Sequence, residues 1–185
     1  KGTASITDLT PPAILAAVKA ACRIAEYTEE DPCAGLAEKQ YLATENPDLS
    51  LYHVAGITPE HAIEQAKACE AAALEYSKEI TNSEGSAFST NDQFYVYGNS
   101  NGFLAAYPTT KYSAYCVVIG QRGESMQRDY DFTVARDVND LLRLPQIGKN
   151  AAEKTIARLG ARKIKTCQAP VVFVPKVAAS LWGCL

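Results

Sequence analysis

The segment YSAYCVVIGQRGESMQRDYDFTVA (Tyr112–Ala135) alternates apolar and polar residues on both sides of Arg122-Gly123. A period of two is the mark of a half-buried strand. A link this short joins antiparallel neighbours, because a parallel pair needs a long crossover. Upstream, Ile80–Thr90, Gln93–Tyr97 and Phe103–Tyr107 read the same way, separated by turn signals at Asn91-Asp92, Gly98–Gly102 and Pro108. The pattern predicts a meander of about five antiparallel strands. Tyr95, Tyr97, Tyr107, Tyr112, Tyr115 and Tyr130 lie in or beside them, and tyrosine suits a half-buried face with its hydroxyl reaching water.

Helices are expected on either side of these strands. Thr10 followed by Pro11 and Pro12 is a helix start, a hydroxyl N-cap before prolines that lack only an orphan donor. Ile14, Leu15, Val18, Ala21, Cys22 and Ala25 then predict one buried stripe, ending near Tyr27. Thr58-Pro59 repeats the signal, and Ile63, Ala66, Cys69 or Glu70, Ala73 and Leu74 trace the face of a second helix reaching about Lys78. Its many alanines predict close packing. Asp137 can cap a short turn, Pro145 opens a third helix with Ile147, Ala151, Ile156 and Leu159 inward, and Gly160 is a suitable C′ residue. Val171–Val174 reads as a short apolar strand. The fold class expected is α+β, a central antiparallel sheet meander packed with α-helices.

The chain has 185 residues and a net charge of -3, which gives no general case for nucleic-acid or membrane binding. No apolar run approaches the ~20 residues of a membrane span. The six cysteines are scattered without a C-x-x-C pair, which favours a reducing, cytoplasmic setting. Glu26, Glu29, Glu30, Asp31, Glu38, Glu45 and Asp48 form an acidic block. Lys149, Lys154, Arg158, Arg162, Lys163 and Lys165 form a basic one, which reads as a solvated face that partly complements a helix C-terminus. A start at KGTASITDLT without Met and an end at LWGCL read as cuts within a longer protein.

Catalytic groups are sparse. His61 with Glu64 at helical spacing lacks the third and fourth ligands that a metal needs, so neither a catalytic nor a metal set is expected in this chain. Gly98–Gly102 lacks the lysine of a phosphate loop and reads as a hairpin turn. NSEG (Asn82–Gly85) reads first as a turn and second as a peptide-binding element. Arg128 and Asp129 point to opposite faces of a strand. As polar groups at strand ends, Asn82, Glu84, Arg128 and Asp129 are the candidate substrate-binding residues, should the sheet contribute to a peptide cleft.

DLTPPAI, YTEEDPCAGL, NSEG, VYGNSNGF, MQRDYDFTVARD and AAEKTIARLGARK before PVVF, in this order over essentially the whole chain, resemble the TldE (PmbA) protein family. The resemblance implies three consecutive parts: residues 1–56 as the end of an N-terminal region, 57–168 as a central α+β domain, and 169–185 as the start of a C-terminal domain. It also implies a partnership. TldE-like proteins pair with TldD-like proteins in a cytoplasmic metalloprotease of unfolded peptides and, in some bacteria, of the leader of a modified peptide antibiotic. The zinc motif, H-E-x-x-x-H on a helix after an apolar strand, belongs to the TldD side. Here Gly183 and Cys184 stand where His and Glu would be expected, so zinc is expected on the partner and no cofactor in this chain. TldE-like proteins usually carry His where Cys184 and Asn101 stand, which puts in doubt any role for imidazole there. The family's older name, modulator of DNA gyrase, finds no DNA chemistry in these residues.

Two functions from different classes follow. The first is the non-metal partner subunit of a TldD/TldE-type heteromeric metalloprotease, contributing structure and substrate binding. Strand addition to a free sheet edge would suit extended peptides. The second is a non-enzymatic binding module, for nucleic acid or protein, using Lys149–Lys165. A self-sufficient enzyme built on His61, Glu64 and a cysteine is the weakest reading.

Overall fold

The computed structural model describes residues 1–184 and divides into two compact units that interleave along the chain. One comprises Lys1–Val54 and Asn91–Thr110, the other Ala55–Thr90 and Lys111–Leu185.

The sheet has three antiparallel strands, in the order β1 (Ile80–Gly98), β2 (Leu104–Arg122) and β3 (Ser125–Ala135). The α+β class is therefore right and the count of about five strands is not. Asn91-Asp92 and Pro108 lie inside continuous strands. Pro108 is tolerated because pairing with β3 stops at Tyr112↔Ala135, so this part of β2 is an edge where a missing N–H costs no ladder bond. NSEG is likewise strand and not turn. The expected hairpin turn does form at Asn99–Gly102. Asn99 donates its N–H to the Phe103 carbonyl at 3.0 Å, and Gly102 has φ +89°, the left-handed region where glycine is unstrained.

In the first unit, α1 spans Pro11–Glu26. Thr10 occupies the N-cap, but its hydroxyl makes no capping bond; its own N–H donates to Asp8 Oδ1 at 2.9 Å. The predicted stripe is not buried. Ile14, Leu15 and Val18 are 45%, 55% and 55% exposed, because no second layer within this unit covers them. The N-terminal segment does pass close to the helix: a β-carbon on Gly2 would sit 2.0 Å from the Ala21 carbonyl oxygen. Beyond α1 the chain is irregular to Ile57 apart from one 3₁₀ turn. In the distal hairpin the Tyr95 and Tyr107 rings stack at 5.4 Å.

The second unit holds the core. Here α2 (Pro59–Leu74) and α3 (Leu144–Arg158) cover one face of the sheet. Thr58 does cap α2, its hydroxyl accepting from the His61 N–H at 3.3 Å. The buried face of α2 is Cys69 and Ala73, while Ile63 and Leu74, expected inside, are exposed. Alanine explains the shift, since small residues let the helix backbones approach and push larger side chains outward. Cys69, Ala73, Ile80, Ala114, Cys116, Val118, Ile147, Ala151 and Ala152 form one cluster. Register runs from Tyr112↔Ala135 to Arg122↔Ser125, so even residues of β2 and odd residues of β3 face the helices.

Val171–Val174 is not a strand. Among the described residues no strand pairs with it, Val172 is 93% exposed, and β-propensity without a partner to pack against does not make a strand. It leads instead into a helix, α4 (Pro175–Trp182). Among the described residues no helix is long and apolar enough to cross a membrane.

Candidate functional site at the outer strand

Chain alternation gives β3 two different faces. Asp129, Asp131 and Thr133 turn to the helices, while Arg128, Tyr130, Phe132 and Val134 turn to the open side. Asp131 is only 2% exposed yet carries a charge. Its Oδ1 accepts from Lys154 Nζ and from Lys176 Nζ, each at 2.7 Å, and its Oδ2 accepts from Asn150 Nδ2 at 2.9 Å. Burial alone would raise its pKa. The hydrogen bonds from Lys154, Lys176 and Asn150 outweigh that and hold it at about 2.

Two periodicities meet here. Asn150, Lys154 and Arg158 recur every four residues on α3, about 6 Å per step. Asp131 and Asp129 recur every two residues on β3, about 6.6–6.8 Å per step. The rungs match: Asn150 and Lys154 reach Asp131, and Arg158 reaches Asp129 Oδ2 at 3.0 Å. The same cations dress the outer edge. The carbonyls of Arg128, Tyr130 and Phe132 accept from Arg158, Lys154 and Lys176 at 3.3, 3.5 and 3.0 Å. Lys176 also lies 4.5 Å from the Phe132 ring centroid. Side chains thus occupy an edge that could otherwise accept another strand.

The open side carries a second pair. Arg128 donates Nε and a terminal nitrogen to the two oxygens of Glu84, at 2.7 and 2.8 Å, spanning from β3 to β1 past β2. Both side chains are about half exposed, 53% and 44%. The Arg128 hydrogen bond lowers the Glu84 pKa, with desolvation opposing it. Ile80, four residues before Glu84, is in the core, so β1 departs from regular alternation before Glu84 as well as at Gly85, whose φ is +110°. In a regular strand Glu84 and Phe88 would share a face, yet Phe88 packs on the core. Further along the same face, exposed Tyr115, Tyr130, Phe132 and Val134 are four of the residues lining a shallow groove of about 390 Å³.

The four residues singled out from sequence therefore do not converge. Glu84 and Arg128 pair on the open face, Asp129 turns to α3, and the Asn82 side chain accepts from the Ser83 N–H at 2.9 Å. The sequence reading missed Asp131, Asn150, Lys154 and Lys176 as a cluster. The signal was present as Asp-x-Asp in a strand facing Asn-x3-Lys-x3-Arg on a helix.

Among the described residues no three His, Cys, Asp or Glu side chains gather to hold a metal. His53 Nε2 bonds the Ser50 carbonyl at 2.8 Å, and the carboxylates above are engaged by cations. The buried thiols form a separate pair. A hydrogen bond from Cys116 lowers the Cys69 pKa to about 7 against the effect of burial, while the same bond, with burial, raises that of Cys116.

Residues 52–159, which hold α2, the whole sheet and α3, match the PmbA/TldA metallopeptidase central domain. The chain belongs to the PmbA/TldA metallopeptidase family. It is 45% identical over 99% of its length to metalloprotease PmbA of Escherichia coli O157:H7, and 41% identical over 98% to a PmbA homologue of Haemophilus influenzae. It spans 41% and 40% of those proteins, about two fifths of their length. Among solved structures, a putative modulator of DNA gyrase from Bacteroides thetaiotaomicron is 28% identical with a TM-score of 0.74, over 89% of this chain and 38% of that one. TldE of Thermococcus kodakarensis shares the fold at 22% identity and a TM-score of 0.58, over 84% of this chain and 34% of its own. In this PmbA-type chain the sheet is therefore part of the family's central domain.

Proposed function

We propose that the protein containing this chain is the non-metal subunit of a two-component metalloprotease, with a TldD-type partner supplying zinc. This region contributes structure and peptide binding. The observation that carries the reading is 45% identity over 99% of the chain to a protein named as a metalloprotease, in a region whose described residues gather no set of ligands for the metal. α4 supports it. This helix follows the apolar segment after which the resemblance places the zinc motif in metal-bearing subunits, and its only polar side chains are Lys176 and Ser180. Lys176 is already spent on Asp131.

Substrate contacts fall on the open face of the sheet. Exposed Tyr115, Tyr130, Phe132 and Val134 suit the apolar side chains of unfolded peptides, and Glu84 with Arg128 offers polar contacts further along the same face. Strand addition at the β3 edge is disfavoured, since Arg158, Lys154 and Lys176 hold its carbonyls. Nucleic-acid binding through the basic block loses two of its members, Lys154 and Arg158, to internal aspartates. The test is to mix the full-length protein with a TldD-type protein from the same organism on a sizing column and assay zinc across the peaks. A joint peak holding zinc, with zinc absent from this protein alone, is expected. Zinc in this protein alone, or no joint peak, overturns the reading.

A further inference from the structure

A cavity of about 350 Å³ lies within the second unit, between the first turn of α2 and the segment that leads into α3. Its wall includes Ile57, Phe88 and Leu142, and its polar groups are His61, Gln65 and Arg143. No carboxylate lines it. Some cations of this unit, Arg122, Arg128, Lys154, Arg158 and Lys176, are paired with carboxylates, whereas others such as Lys67 and Lys149 are in no ion pair among the described residues. Arg143 and His61 make no such pair among the described residues. Both helices also begin here, with Thr58 and Arg143 as N-caps, and no side chain caps α3. Their dipoles contribute positive potential here, which Glu60 in the first turn of α2 offsets in part.

An apolar wall beside a guanidinium and an imidazole, without an opposing acid, matches a carboxylate joined to an apolar side chain. The volume is at the small end of ligand sites, about 300–1,000 Å³, and suits one residue rather than a long ligand. We propose that this cavity binds the C-terminal residue of a peptide, its free carboxylate on Arg143 and His61 and its apolar side chain against Ile57, Phe88 and Leu142. A guanidinium can bind a carboxylate through two parallel hydrogen bonds. An amide at the peptide terminus forfeits that charge. The proposal rests on the reading that the protein handles peptides, and it deepens that reading by giving the central domain a terminus-recognising site.

The test is fluorescence anisotropy on the full-length protein with a dye-labelled pentapeptide ending in leucine, as free acid and as amide. The free acid binds, and the amide binds roughly tenfold or more weakly, in keeping with loss of a charge-assisted bond. Arg143→Gln weakens the acid by a similar factor and leaves the amide unchanged. Lys149→Gln, the same charge change away from the cavity wall, alters neither. Equal binding of acid and amide, wild-type binding by Arg143→Gln, or no binding at millimolar peptide overturns the site. Loss of the site with a TldD-type complex still formed refutes this inference alone. Terminus binding without any complex refutes the subunit reading and leaves the site standing.

Discussion

Gly148 of α3 meets the backbone of α2 at Cys69: a β-carbon on Gly148 would sit 2.0 Å from the Cys69 carbonyl oxygen and 3.1 Å from the Ala73 nitrogen. The obstacle is backbone, which cannot swing aside. Gly148→Ala therefore forces the two helices apart over the buried cluster, at the upper end of the about 1–3 kcal/mol typical of overpacking or beyond it. Urea unfolding checks this, with a lower midpoint expected at an unchanged slope.

Asp131 should make stability depend on acid. Its folded pKa is about 2 against an ordinary 3.8, so the unfolded chain binds a proton more readily. The stabilisation is complete above about pH 4 and is lost as pH falls toward 2, on the order of 2 kcal/mol in all. Asp131→Asn should flatten unfolding free energy across that window. At neutral pH it should cost about 1–3 kcal/mol, less than a fully buried pair, because Lys154 and Lys176 are 45% and 50% exposed and can turn to water.

The Glu84–Arg128 pair makes the opposite prediction. Exposed pairs contribute little to stability, so Glu84→Ala and Arg128→Ala should melt close to wild type. Both sit on the proposed peptide face, so each should weaken binding of an unfolded peptide. Calorimetry and a peptide-binding titration on the same samples separate the two effects, and normal peptide binding by both variants would remove them from the site.

The cysteines divide by burial. Cys22, Cys33, Cys167 and Cys184 are exposed, while Cys69 and Cys116 are buried. Brief treatment of the folded chain with a maleimide should modify the first four, and Cys69 and Cys116 should react only after denaturant is added. Peptide mass mapping checks this. Fast labelling of Cys69 in the folded state would contradict the packing of α2 on the sheet.

The alternation around Cys116 and Asp131 and the proline-led helices were legible in the sequence because both are local patterns. The length of the strands was not. Asn91-Asp92 and Pro108 are turn formers by propensity, and only the position of β3, which leaves that part of β2 as an edge, shows why a strand accepts them. The exposure of Ile14, Leu15 and Val18 was equally hidden, since periodicity says which residues share a face and not whether anything covers it. Glu84 and Arg128 stand out in the sequence only as polar groups at strand ends. That the two meet depends on β1 departing from regular alternation between Ile80 and Phe88, which no spacing rule gives. The ladder of Asn150, Lys154 and Arg158 against Asp131 and Asp129 was readable in principle, because helix and strand advance almost equally over four and two residues.

The most direct measurement of the proposed role is peptidase activity on an unfolded polypeptide, for the full-length protein, a TldD-type protein, and their mixture, each with and without a zinc chelator. The subunit reading predicts no cleavage by this protein alone, cleavage by the mixture above that of the TldD-type protein alone, and its loss on chelation. Chelator-sensitive cleavage by this protein alone, or a mixture no more active than its TldD-type component, would contradict it.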